Sequence, residues 1–234
     1  MMKMLLCKTL LFATMLSAYA LANTEELSPV NSKTIRTMSG ATATTSLSAP
    51  ATGLLVIDIQ NEYFPGGKMV IPDGMKVLHN SKKLVEFAHQ KGIPVWFVRH
   101  VGAKGGPLFA EGSVFAEFHK DLQPTKDDRI MTKATPSAFV GTDLEQQLKA
   151  KGIKQLIVTG LMTHMCVSTT SRDAVPKGFS VIIPEDATAT RSIDDSRGGV
   201  IDHQLLQRAA IAGVADVFAE IRTTQEVLDL PVTP

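Results

Sequence analysis

The stretch Leu156-Ile157-Val158-Thr159-Gly160-Leu161-Met162-Thr163-His164-Met165-Cys166-Val167-Ser168-Thr169-Thr170 carries the side chain best equipped for chemistry, a cysteine. A β-branched apolar run stops at Gly160 and a helical pattern starts a few residues later. Strand, tight turn and helix are expected in that order. A helix beginning near Thr163 puts the Cys166 sulfur in its first turn, where unpaired N–H groups and the positive dipole end favour a thiolate. A thiolate is a nucleophile. A lone cysteine is more often a small buried hydrophobe, however, and this segment by itself leaves both readings open.

Two charged residues stand where they could serve such a nucleophile. Gly53-Leu54-Leu55-Val56-Ile57-Asp58-Ile59-Gln60 is an apolar run interrupted by one acid, which suits a central parallel strand buried on both faces with Asp58 at its carboxyl end. Ligands bind at that end of an open α/β sheet. Equally, such an acid can simply orient the loop that follows. Asp128-Arg129-Ile130-Met131-Thr132-Lys133 reads as a short strand delivering Lys133 to the same edge, although a lysine alone is ordinarily a solvated surface charge.

The elements that must position these groups follow from periodicity and punctuation. Asp73 can cap a helix whose Val77, Leu84, Phe87 and Ala88 face the core and which Gly92 ends. Residues 94–100 form the next strand. Residues 101–123, with Gly102, Gly105, Gly106 and Pro107 followed by Phe109, Phe115 and Phe118, read as a loop with a short helix near the pocket mouth. Thr142 and Glu145 have capping-box spacing, and Lys149, Lys151 and Gly152 close that helix. Residues 179–183 form a strand. A last helix over about 200–212, with Leu205, Leu206, Ala209 and Ala210, leads to a strand near 216–221. Alternating strands and helices imply a mostly parallel sheet of about six strands covered on both faces, a three-layer α/β/α fold.

The N-terminus speaks to compartment. Lys3 and Lys8 without an acid, a short apolar run, and Ala20-Leu21-Ala22 are expected to form a secretory signal peptide over 1–22, cleaved near Ala22. A periplasmic or secreted protein is expected, with no membrane span in the mature form. Of the two cysteines, Cys7 leaves with the signal and Cys166 remains without a disulfide partner. Residues 23–50, rich in Ser, Thr and Ala, read as a flexible leader, and 51–234 as one domain. A formal charge of +1 and no basic run argue against nucleic acid or a membrane surface as partner.

Three motifs, in order along the chain, resemble the isochorismatase-like cysteine hydrolases. They are Val56-Ile57-Asp58-Ile59-Gln60; Lys133 with Pro136-Ser137-Ala138-Phe139 and Gly141-Thr142-x-Leu144; and Gly160-x-x-Thr163-His164-x-Cys166-Val167-x-Thr169. The resemblance implies a Rossmann-like fold and a catalytic triad of Cys166, Asp58 and Lys133, with a cis Leu161–Met162 peptide. It implies too an oxyanion hole from the backbone N–H groups of Met162 and Cys166. A free thiol ionises near roughly pH 8.5, and the helix start with Lys133 and Asp58 is expected to lower that value.

Nicotinamidase-like relatives carry an Asp-x-His arrangement after the second strand, where this chain has Val98-Arg99-His100-Val101, so no metal and no other cofactor is expected. Phe64, Trp96, Arg99, His100, Phe139 and His164 are candidate pocket residues. The leading function is hydrolysis of a C–N bond in a small amide or ureido compound through a thioester acyl-enzyme, by a homo-oligomer acting on a small-molecule substrate. Two alternatives stand beside it. One is isochorismatase-type vinyl ether hydrolysis, which in relatives does not depend on the cysteine. The other is a non-catalytic binding protein on the same fold.

Overall fold

The computed structural model describes residues 32–234. The expected signal peptide and the first part of the leader lie outside the described residues. In chain order the elements are α1 (Ile35–Met38), β1 (Leu47–Ser48), β2 (Thr52–Ile57), α2 (Gly74–Lys91), β3 (Val95–His100), β4 (Arg129–Lys133), α3 (Leu144–Ala150) and β5 (Gln155–Leu161). There follow α4 (Ser168–Ala174), β6 (Ser180–Pro184), β7 (Thr188–Ala189), β8 (Ile193–Asp194), β9 (Val200–Ile201), α5 (His203–Ala215), β10 (Glu220–Arg222), α6 (Thr224–Leu228) and β11 (Val232–Thr233).

Six strands run in the order β10-β6-β5-β2-β3-β4, every pairing parallel, and β7 adds to β5 beyond the end of β6. Because side chains alternate along a strand, each central strand feeds two cores. Leu54 and Val56 of β2 join Val77, Leu84 and Ala88 of α2 on one face. Leu55 and Ile57 meet Leu144 and Leu148 of α3 and Ile211 and Val214 of α5 on the other. That burial on both faces is why β2 lacks any polar alternation. The chain adds β3 and β4 on one side of β2, then returns to lay β5 and β6 on the other. The β2–β5 seam is therefore the switch point of the sheet, where a crevice opens at the strands' carboxyl ends.

Gly160 is what lets the seam close. Its φ is +119°, and a Cβ there would stand 1.9 Å from the carbonyl oxygen of Ile57 on β2. Only glycine fits so near a neighbouring backbone.

Several expectations are corrected. Residues 34–50 are not a structureless leader: Leu47 is fully buried opposite Val232, and Thr44 donates from both its N–H and its hydroxyl to Glu220. Side-chain and backbone hydrogen bonds order a segment that has no apolar periodicity to show. The connection from β3 to β4, by contrast, is a loop with one short helix as expected, the 3₁₀ turn Val114–Ala116. The capping box at Thr142 does not form, since Asp143 is the cap position and Glu145 pairs with Lys149 and Lys177 instead. The last long helix starts at His203, capped by Asp202, and buries Ile211 and Val214 while Leu205 is 59% exposed.

Candidate active site

Each of the three chemical groups comes from the carboxyl end of a strand at or beside the switch point. Asp58 is the residue after β2, held by donation of its N–H to Val98 O at 2.8 Å and in the left-handed region at φ 51°. Aspartate tolerates that region better than most residues. Lys133 is the last residue of β4, in register with His100 of β3. Cys166 lies in a single π-helical turn, Thr163–Val167, between β5 and α4, rather than in a regular first α-turn. Such turns are frequent at functional sites. The Leu161–Met162 peptide that leads into it is cis.

The three groups meet. Lys133 Nζ donates to Asp58 Oδ2 at 2.7 Å and to Cys166 Sγ at 3.3 Å, and neither the lysine nor the aspartate side chain is exposed. Asp58 Oδ1 is buried and has no partner among the described residues, which leaves it able to take a proton. Burial works against the Lys133 ammonium, but the Asp58 carboxylate and the sulfur outweigh it and hold its pKa above that of an ordinary lysine.

The thiol behaves otherwise than the sequence led us to expect. Burial, with the Asp58 carboxylate beside it, pushes Cys166 up to about 12, and Lys133 recovers only part of that. The resting sulfur therefore carries its proton. Burial, reinforced by the carboxylate, decides the sign.

Around this centre, Gln60 staples the loops: its Nε2 donates to His100 O and Ala116 O, both at 2.7 Å, and its Oε1 accepts from His100 N at 2.8 Å. His100 is half-buried, its Nδ1 3.4 Å from Lys133 Nζ. Burial and that ammonium lower its pKa, so its ring is neutral at physiological pH. Its ring also meets Phe109 edge-on, and Phe109 in turn meets Tyr63. Glu62 fixes Phe109 by accepting its N–H at 2.9 Å. His164 bonds through Nδ1 to the Thr190 hydroxyl, and burial with nearby Arg191 lowers its pKa.

The other four pocket candidates have the following surroundings. Trp96 is fully buried near the start of β3, bonded to Gln147 and covered by Arg129. Phe139 stacks on Phe179. Phe64 packs on His119. Arg99 turns outward to Thr132 and Glu117. Trp96, near the start of β3, stands at the opposite end of that strand from His100, which is in register with Lys133. Tyr63, Thr163 and Arg191 were missed by sequence reasoning. The position of Tyr63, five residues after Asp58 on the same crossing loop, was the available signal for one of them.

Among the described residues no group of three or more His, Cys, Asp or Glu stands together so as to hold a metal ion. The residues present do not fit the metal arrangement of nicotinamidase-like relatives. A surface groove of about 730 Å³ along β4 and α3 is lined by residues such as Thr132, Asp143 and Gln147 and contains none of the three chemical groups.

A parallel sheet with a buried Cys, Asp and Lys cluster at its switch point defines a class of α/β hydrolase. The isochorismatase domain matches residues 52–226, and the chain belongs to that family. An isochorismatase family protein of Bacillus subtilis, YddQ, is 35% identical over 180 residues, covering 76% of this chain and 98% of the relative. The secreted isochorismatase effector Isc1 of Verticillium dahliae is 33% identical, covering 74% and 88%. The crystal structure of an isochorismatase from Pseudomonas putida superposes with a TM-score of 0.77 at 31% identity, covering 83% and 98%. Relatives named for the bonds they cleave include Nicotinamidase 3 of Arabidopsis thaliana at 35% identity (58% of this chain, 72% of the relative) and the ureidoacrylate amidohydrolase RutB of Caulobacter vibrioides at 29% (75% and 88%). The chain is a hydrolase of this family with the three-layer α/β fold.

Proposed function

We propose that the protein hydrolyses a C–N bond in a small amide or ureido compound through a thioester on Cys166. The observation that carries the reading is the single ammonium of Lys133 bridging a buried carboxylate and a buried sulfur. The amide- and ureide-cleaving relatives support the bond type.

With the thiol protonated at rest, the thiolate forms only as the substrate arrives. Asp58 Oδ1 accepts the Sγ proton while sulfur attacks the carbonyl carbon, and Lys133, still an ammonium, holds Asp58 Oδ2 and offsets the charge on sulfur. The N–H groups of Met162 and Cys166 receive the carbonyl oxygen as it becomes an oxyanion. At the start of a helical turn such groups lack intrahelical partners, and the Met162 carbonyl is already spent on Met165 and Val167. The C–N bond then breaks and Asp58 passes its proton to the leaving amine. Water attacks the thioester, giving a proton to Asp58, and collapse returns that proton to the departing sulfur. One water is consumed, and an acid and an amine are released.

Residues 1–22 as a signal peptide and export to the periplasm or exterior complete the proposal; the secreted relative supports it. Among the described residues no helix is long and apolar enough to cross a membrane. A homo-oligomer is proposed as well.

The test is amine release across a panel of small amides, ureides and lactams, compared with Cys166→Ala. Abolished turnover with an intact fold is expected. An unchanged rate would remove the thiol mechanism; no amine release from any member of the panel, with turnover of a vinyl ether, would favour the isochorismatase reading.

A further inference from the structure

The Lys133 side chain is closed to solvent, so the three N–H groups of its ammonium must find their partners inside the protein. Two of them serve the reacting groups, Asp58 Oδ2 at 2.7 Å and Cys166 Sγ at 3.3 Å. The third acceptor within reach is His100 Nδ1 at 3.4 Å. An ammonium only donates, so that ring nitrogen must be bare and the proton of the neutral imidazole must sit on Nε2.

The fold holds the imidazole there from several sides. His100 and Lys133 are the last residues of β3 and β4 and stand in register, so their side chains leave the same face of the sheet side by side. Asp58 turns off the β2 path at φ 51°, and its carbonyl accepts from Gln60 N at 2.9 Å. The fully buried side-chain amide of Gln60 then takes the place of the next β2 residue against β3. Its Oε1 accepts from His100 N at 2.8 Å and its Nε2 donates to His100 O at 2.7 Å, so both main-chain groups of His100 are held by one side chain. Phe109 meets the ring edge-on with 5.3 Å between ring centres, and Glu62 fixes Phe109 by accepting its N–H. The charged groups facing the ring are the Lys133 ammonium from β4 and the Asp58 carboxylate from β2, while Phe109 and Gln60 bring none.

We propose that His100 is a positioning residue for the reaction: its bare Nδ1 takes the third N–H of the ammonium and so holds Lys133 between the Asp58 carboxylate and the Cys166 sulfur. Without that acceptor one donor of a buried cation has no partner, which is costly enough to move the side chain. With it, the ammonium has no N–H left for substrate. Protonation of the ring replaces the acceptor by a donor of like charge, which displaces Lys133 and stops turnover on the acid side. The effect on turnover rests on the hydrolase reading of Cys166; the contact itself does not.

One arm of the test needs no substrate. Nitrogen NMR of isotope-labelled wild-type protein is expected to show His100 Nδ1 unprotonated and Nε2 protonated at neutral pH, together with a slowly exchanging Lys133 ammonium signal that is lost as His100 takes up a proton. His100→Asn, whose Oδ1 can stand where Nδ1 stood but gains no proton, keeps the ammonium signal to lower pH, and His100→Leu loses it. In the other arm, with an accepted amide, His100→Leu lowers kcat/KM about a hundredfold at neutral pH, chiefly through kcat, in protein that still melts cooperatively. His100→Asn restores most of that loss and moves the acid limb of the profile to lower pH. Should His100→Leu fail to fold, the wild-type spectrum and His100→Asn still decide. The contact found as expected while no amide or ureide is ever hydrolysed would sustain it and remove the hydrolase reading. A proton on Nδ1 of the neutral ring, or an acid limb and an ammonium signal both unmoved in His100→Asn, would overturn the proposal.

Discussion

Lys133 Nζ stands 2.7 Å from Asp58 Oδ2, across 75 residues of sequence, with both side chains closed to solvent. Taking both charges out of water costs free energy that their attraction only partly returns, so stability is a poor reason to keep such a pair. A proton acceptor fixed beside a sulfur is a better one.

Removing the cation leaves a buried carboxylate uncompensated. Lys133→Met is expected to lose about 3–5 kcal/mol of unfolding free energy, read from urea denaturation, and Lys133→Met with Asp58→Asn to recover part of it. A loss below about 1 kcal/mol for the single variant would show that the pair is not coupled.

Asp58→Asn separates two roles of one carboxylate. The base is gone, so turnover falls by about 10²- to 10⁴-fold. The negative charge that holds the thiol proton is gone too, so iodoacetamide modifies Cys166 faster than in wild type. Slower chemistry with faster alkylation is the expected pattern; both rates falling together would contradict the placement of Asp58.

The raised thiol has a pH signature. Iodoacetamide labels the native protein slowly at pH 7, and the rate climbs through pH 10 instead of levelling near 9, because the thiol ionises only at about 12. Slow labelling at neutral pH therefore does not mark an inert protein. The unfolded chain releases its proton first, so this group's stability is full below about pH 9 and is lost as pH rises towards 12. Lys133, also held above its ordinary value, adds a loss of the same sign. Chemical denaturation of Cys166→Ala across the same range should show the smaller alkaline decline.

Gly160→Ala tests the seam. Its Cβ would meet the Ile57 carbonyl at 1.9 Å, and neither backbone can yield without moving Asp58 or the nucleophile turn. Loss of several kcal/mol, or insoluble protein, is expected on expression and thermal melting, together with lost activity in any soluble fraction. A stable, active variant would contradict the observed approach of β2 and β5.

How much of this was legible depends on range. Buried central strands announce themselves: Leu54 to Ile57 and Leu156 to Val158 read as apolar runs because both faces are covered. Their ends gave Asp58 and Cys166, and a third strand gave Lys133. Short polar segments hid their structure, as at Thr44 and Leu47, where distant partners supply the order. Trp96 shows the limit of reading by residue type, since nothing in its composition says which end of a strand faces the crevice. The direction of the Cys166 shift needed its burial and the carboxylate's nearness, which no spacing reveals.

The most direct measurement is intact mass spectrometry of wild-type protein, acid-quenched milliseconds after mixing with an accepted amide. A mass increase equal to the acyl group, located on the peptide containing Cys166, discharged by hydroxylamine and absent from Cys166→Ala, is predicted. Turnover with the sulfur never acylated, or an adduct on any other residue, would contradict the account.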